Sequence, residues 1–159
     1  MDARVLHRLL LLSLIVGLAF SSFATFETYY APLRTSCTIN AFFSCGAVDQ
    51  SSHTTIGPVP DWAIGLGGFV AMLALDVPLI RSYDPRYLYG VLVLATVGLA
   101  LAIGLGILEV TVIHALCPIC LGAYLSDAGA FGVALGLVRM RRSARAAPSA
   151  RAGSAVAED

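Results

Sequence analysis

The 159-residue chain is 58% hydrophobic and 13% charged, with a mean hydropathy of +0.83, whereas water-soluble domains are about 45–50% apolar and ~25% charged. A soluble globule of this length has too little interior to enclose that much apolar surface, so the surplus belongs in lipid. Ten arginines, no lysine and ten acids cancel to a net charge of zero, which leaves no basic stripe for nucleic acid and excludes it as a partner.

A bilayer-spanning helix needs about 20 predominantly apolar residues, and four segments supply them. The first runs from Leu9 to Tyr30 with Glu27 its only charge. Arg4, Arg8 and the segment Ser22-Phe23-Ala24 also fit a cleaved secretory signal, but the apolar run continues past that point and is read as a retained span. After a polar loop over 31–58, the second span covers Val59 to Ile80, with Asp76 near its exit. The third runs from Tyr87 to Ile113 and the fourth from Pro118 to Val138. Lipid offers no water to backbone polar groups, so all four are expected to be helices. Residues 1–138 form one membrane domain. The Arg-, Ala- and Ser-rich stretch over 139–159 lacks the apolar side chains that would offset the entropy of ordering, and is expected to be a disordered cytoplasmic tail. Gly132 and Gly136 make a small-xxx-small pair that predicts a close helix contact.

The arginines set the orientation, because positive flanks stay on the cytoplasmic side. Arg4, Arg8, Arg81, Arg86, Arg139, Arg141, Arg142, Arg145 and Arg151 fall on one side and only Arg34 on the other. Both termini are therefore expected in the cytoplasm. The 31–58 loop and the turn at 109–117 then face outward, and all four cysteines, Cys37, Cys45, Cys117 and Cys120, go with them.

Cys117-Pro118-Ile119-Cys120 sits where a loop enters the fourth helix. Such a pair can close a disulfide. The free amides and dipole of a helix amino terminus favour the attacking thiolate, and proline suits the first helical turn. A metal-ligand pair and an inert bridge are the alternatives at this point. Cys37 and Cys45 lie eight positions apart, wider than the two to four intervening residues usual between zinc cysteines, which argues against a four-cysteine metal site. Ile39, Phe42 and Phe43 recur at helical spacing and predict a short amphipathic segment lying over the outer mouth of the bundle.

Together these features resemble the vitamin K epoxide reductase family in its compact prokaryotic form. The resemblance covers roughly Leu9 to Leu137. It rests on loop cysteines eight apart (Cys37, Cys45), a serine six residues later (Ser51), Cys117 and Cys120 followed by Tyr124, and Ile56-Gly57-Pro58-Val59-Pro60 leading into the second span. It implies an all-α, polytopic four-helix bundle capped by an outer loop and short interfacial helix.

The implied activity is quinone-dependent thiol-disulfide oxidoreduction in the cell membrane, which supports disulfide formation. A reduced thioredoxin-like protein would attack the Cys37–Cys45 bridge, freed Cys45 would attack Cys117, and released Cys120 would donate to a quinone of the menaquinone, ubiquinone or vitamin K type. No metal is expected. The chain ends too soon for a fused thioredoxin-like domain, so the donor is expected to be a separate protein. Vitamin K quinone or epoxide reduction as the main role is the alternative within the family. A thiol-based carrier of a soft cation such as Hg²⁺ or Cu⁺ is the alternative of another class.

The resemblance also implies quinone contacts from Tyr124, Asp61 and Ser51. Tyr124 lies one turn past Cys120 on the same helical face. Asp61 stands where the family more often has an amide, and reads equally as a helix cap. Asp127 continues the stripe of Cys117, Cys120 and Tyr124; an acid inside a membrane is functional by default, and it reads either as a proton donor to the quinone or as the partner of another bundle residue. Glu109 and His114 flank the Cys-x-x-Cys, where they either tune the thiols or are solvated at the interface.

Overall fold

The computed structural model describes residues 3–30, 37–49, 51, 55–56, 59–82 and 84–155. Four long helices cross in an antiparallel bundle: α1 (Ala3–Tyr29), α3 (Asp61–Ser82), α4 (Pro85–Leu108) and α5 (Pro118–Ala155). A five-residue helix, α2 (Cys45–Asp49), and a two-stranded hairpin of β1 (Thr55–Ile56) with β2 (Val59–Pro60) occupy the long connection between α1 and α3. The fold is therefore the all-α polytopic bundle expected, with all four spans present. α5 packs against α1 and α4, and α3 against the same two helices, which closes the ring.

The outward surface remains apolar, with Val93, Ile103, Ile107 and Leu125 exposed. This is the surface a helix bundle presents to lipid, where tight packing rather than apolar burial holds helices together. Leu10, Leu14, Leu88, Val91, Ala95, Ala130 and Ala134 fill the half of the bundle away from the cysteines. There Asp76 on α3, buried among them, has His7 of α1 as its neighbour, with Nε2 to Oδ2 at 3.6 Å. The close approaches of helices fall at glycines other than the expected pair. A Cβ at Gly132 would touch nothing and one at Gly136 only Leu6, whereas one at Gly17 would collide with the Phe69 ring of α3.

Element ends differ from the sequence reading for local reasons. The second span starts at Asp61 rather than Val59 because Val59 and Pro60 pair with Ile56 and Thr55. The third starts at Pro85 because Asp84 caps it, its Oδ1 accepting from the Arg86 amide at 2.9 Å. The fourth helix runs on past Val138, to Ala155.

The segment holding Ile39, Phe42 and Phe43 is a tight loop and not a helix. Asn40 Oδ1 accepts from the amides of Phe42 and Phe43 at 2.9 and 2.8 Å, an Asx turn that takes the donors a helix would need. The short helix lies immediately afterwards, at Cys45–Asp49, at the cysteine end of the bundle. Ile39 and Phe42 nonetheless stay exposed at that rim.

Candidate functional site

The approach to the Cys-x-x-Cys is shaped by an interruption at the end of α4. The helix widens into a π-helical turn over Glu109–Ile113 and stops at His114, whose φ of 54° is left-handed. π turns are rare and favour functional sites. The turn leaves the Glu109 carbonyl to accept from the His114 and Ala115 amides, the latter at 3.1 Å. It also turns the Glu109 side chain inward, where it is 2% exposed.

The two cysteine pairs are joined by backbone. Phe43 and Leu116 form a parallel bridge in which the Leu116 amide donates to Phe42 O at 2.7 Å and the Ser44 amide to Leu116 O at 3.2 Å. The residue after Leu116 is Cys117 and the residue after Ser44 is Cys45, so this bridge sets the sulfurs side by side. Cys45 Sγ lies 3.2 Å from Cys117 Sγ, the contact that sulfur exchange requires. Cys45 itself is bonded to Cys37 across a separation of eight residues, while Cys117 and Cys120 are free. Val48, Ala115 and both touching cysteines are buried together.

Cys117 caps α5. Its carbonyl accepts the first helical bond, from Leu121 N at 2.9 Å, and its sulfur accepts from the Cys120 amide at 3.2 Å. This is the N-cap position in which a side-chain acceptor satisfies a free helix donor. The sequence reading of a helix amino terminus at the Cys-x-x-Cys therefore holds in detail.

Beneath the cysteines lies a cavity of about 450 Å³, within the range of small-molecule sites. It reaches from Cys45 and Cys117 at one end to Met72, Leu94 and Asp127 at the other, and its walls come from α1, α3, α4 and α5. Gly65, Gly67, Gly68, Phe69, Val97, Leu101 and Leu105 make it largely apolar. The polar groups in it are few, the composition expected of a pocket for an apolar ring with polar edges.

Cys120, Tyr124 and Asp61 line this cavity. Asp61 opens α3, and its Oδ1 accepts from the adjacent Trp62 amide at 2.7 Å. Ser51 does not line it: it is half-buried beyond α2, where its amide donates to Val48 O at 3.1 Å. His114 is exposed, with its ring Nδ1 3.1 Å from Val110 O.

The residue that sequence reasoning left open is Glu109. Its Oε2 accepts from the Cys117 amide at 3.1 Å and its Oε1 from the Tyr124 hydroxyl at 2.8 Å. One carboxyl thus ties the Cys-x-x-Cys turn to the phenol in the cavity wall. The only sequence signal was an acid at the end of an apolar run. Its inward turn depends on the π-helical register, which the amino-acid pattern does not announce.

Three sulfurs, those of Cys37, Cys45 and Cys117, lie within 4.8 Å of one another, a grouping that serves exchange and soft-metal binding alike. A sequence model of the vitamin K epoxide reductase family matches residues 8–135. That is most of the chain, so the chain belongs to this family and is a multi-pass membrane oxidoreductase. No curated protein matches it significantly.

Proposed function

With that membership as the premise, we propose that the protein carries electrons from a reduced thioredoxin-like protein outside the membrane to a quinone in the bundle cavity, so sustaining disulfide formation. The observation that supports this best is the 3.2 Å contact between Cys45 and Cys117 at the head of an apolar cavity also lined by Cys120 and Tyr124.

The donor's thiolate attacks Cys37 and breaks the Cys37–Cys45 bond, and its second thiol resolves the mixed disulfide. The donor leaves oxidised and the Cys37–Cys45 pair reduced. Cys45 then attacks Cys117 of an oxidised Cys117–Cys120 bridge and releases Cys120 as a thiolate. Cys37 displaces Cys117 from Cys45, which restores the Cys37–Cys45 bond and leaves Cys117 and Cys120 reduced. The Cys120 amide, directed at Cys117 Sγ, supports that sulfur as it gains charge.

Cys120 faces the cavity and passes two electrons to the quinone as the Cys117–Cys120 bridge reforms. Tyr124, one turn further along α5, donates its one hydroxyl proton to Glu109 in the resting cavity and turns it to a quinone oxygen when the ring is bound. Asp61 completes the outer end of the cavity wall. The arginine distribution supports an orientation with both termini in the cytoplasm and the cysteines outside.

Reduced protein mixed with a short-tailed quinone is expected to lose its Cys117 and Cys120 thiols as hydroquinone appears. Cys120→Ala should abolish this. Cys45→Ala should still reduce quinone when a small dithiol is supplied, but not when a thioredoxin-like donor is. Full quinone reduction by Cys120→Ala would overturn the assignment. The grouping of three sulfurs also admits a soft-metal carrier, which requires one tightly held Cu⁺ or Hg²⁺ per reduced chain and no loss of thiols to quinone.

A further inference from the structure

The cavity's far end holds a carboxyl that neither the sulfur path nor the Tyr124 contact uses. Asp127 is 5% exposed and lines the cavity one turn past Tyr124 on α5. Among the described acids of that cavity it is the one whose two carboxyl oxygens both lie buried without a hydrogen-bond partner. Of the other intramembrane acids, Glu109 is hydrogen-bonded by Cys117 and Tyr124, Glu27 of the same cavity has an interaction of its own, and Asp76, whose oxygens also lack a hydrogen bond, lies outside the cavity with His7 at 3.6 Å. Room for the Asp127 carboxyl is provided by a glycine on the neighbouring helix α4. A Cβ at Gly98 of α4 would stand 2.8 Å from Asp127 Oδ2.

An unpartnered polar group in an apolar wall costs several kcal/mol, and one that persists calls for a partner the protein itself does not supply. Tyr124 and Asp127 are three residues apart on one helical face, and their side chains leave the helix about 5 Å apart along its axis. The two oxygens of a para-quinone ring are separated by a similar span.

Resting on the reading of the cavity as a quinone site, we propose that Asp127 is a catalytic acid which hydrogen-bonds the quinone oxygen remote from Tyr124 and gives it a proton. The step balances within the couple. As the Cys117–Cys120 bond forms, the two thiols lose two electrons and two protons, and the quinone gains two of each to become hydroquinone. Asp127 delivers its own proton to one oxygen and is reloaded by a proton that the thiols release.

The test uses the full-length protein in nanodiscs with a short-tailed para-quinone. Infrared difference spectra of the oxidised protein with and without quinone should show a shifted carboxylic acid C=O band, and Asp127→Asn should remove it. The same variant retains a donor for binding but has no proton to give. Its kcat for quinone reduction should fall about 100-fold or more, with KM within about threefold. Reduction of its Cys37–Cys45 bridge by a small dithiol should keep the wild-type rate, which reports an intact fold. Gly98→Ala, which pushes the carboxyl away without removing it, should raise KM and lower kcat together.

No quinone-dependent carboxylic band in the wild type, or a wild-type kcat in Asp127→Asn, would overturn the role of Asp127 while leaving the quinone reaction in place. A wild-type protein that reduces no quinone would instead overturn the reading on which the proposal rests.

Discussion

Replacing Glu109 isolates the link between the sulfur exchange and the cavity. Its carboxyl accepts two hydrogen bonds, from the Cys117 amide at 3.1 Å and from the Tyr124 hydroxyl at 2.8 Å, at a site 2% exposed. In Glu109→Gln the volume is kept, but with the amide oxygen on the Cys117 N–H the new NH2 faces the Tyr124 oxygen, so the phenol accepts where it had donated to a carboxylate. Charge-assisted hydrogen bonds are about twice as strong as neutral ones, a difference of about 1–2 kcal/mol. Since the Cys117 amide is fixed by the helix and the phenol is free to swing, Tyr124 is the partner that loses its set position. If that loss falls on the quinone step, it corresponds to a roughly 5- to 30-fold lower kcat/KM. Glu109→Ala unsatisfies both donors and should lower stability by about 2–6 kcal/mol, read as a fall in the detergent melting temperature. The assay is stopped-flow quinone reduction by pre-reduced protein, beside reduction of the Cys37–Cys45 bridge by a small dithiol. The first should slow in Glu109→Gln and the second should not. A Glu109→Gln protein with wild-type quinone kinetics, or one in which both reactions slow equally, would refute the claim that this carboxyl positions the phenol.

Three further outcomes follow from the same geometry. Leu116→Pro removes the amide that donates to Phe42 O and should slow formation of a trapped Cys45–Cys117 mixed disulfide at least tenfold, while quinone reduction by chemically reduced protein is kept; equal rates of trapping would show the bridge to be incidental. Gly17→Val drives a side chain into the Phe69 ring and should cost about 1–3 kcal/mol by overpacking, measured as a lowered melting temperature, whereas the same change at Gly132, which meets nothing within 4 Å, should be close to neutral. With the arginine-set orientation, a membrane-impermeant maleimide should label the reduced Cys37–Cys45 pair on intact cells; labelling only after lysis would invert the topology.

What was legible in the sequence was whatever is coded by composition or by short-range spacing. Four apolar runs of sufficient length gave four helices, because in lipid no other open structure satisfies the backbone. Cys117-Pro118-Ile119-Cys120 gave a helix amino terminus, since proline at the first turn and an acceptor before it are local signals. Three things were not legible. Ile39, Phe42 and Phe43 had helical spacing, but Asn40 takes the amides of two of them, the Ile39 amide turns back to Phe43 O, and Leu116, more than seventy residues away, pairs with Phe42 O and the Ser44 amide. Glu109 looked like an interfacial acid because a π turn leaves no mark in hydropathy. Gly132 and Gly136 had the right spacing for a close contact, yet the neighbouring helix comes closest elsewhere. For the glycines, and for the Phe42 and Ser44 backbone groups, the deciding partner is distant in sequence, and a pattern within one segment carries no information about it.

The register of α5 connects these observations. Cys117, Cys120, Tyr124 and Asp127 follow one another at three- and four-residue steps, so they form one stripe along about 15 Å of helix, and all four line the cavity. The end at Cys117 touches Cys45 and is governed by the backbone bridge to the loop. The end at Asp127 meets only apolar walls and a glycine. A two-electron transfer whose donor is aqueous and whose acceptor is lipid-soluble needs such a gradient of surroundings, because thiol exchange requires access for a protein partner while quinone binding requires exclusion of water. Placing both ends on one rigid helix fixes their separation without any moving part. Motion is then needed only in the loop that carries Cys37 and Cys45, the segment held to the bundle near Cys117 by two backbone hydrogen bonds.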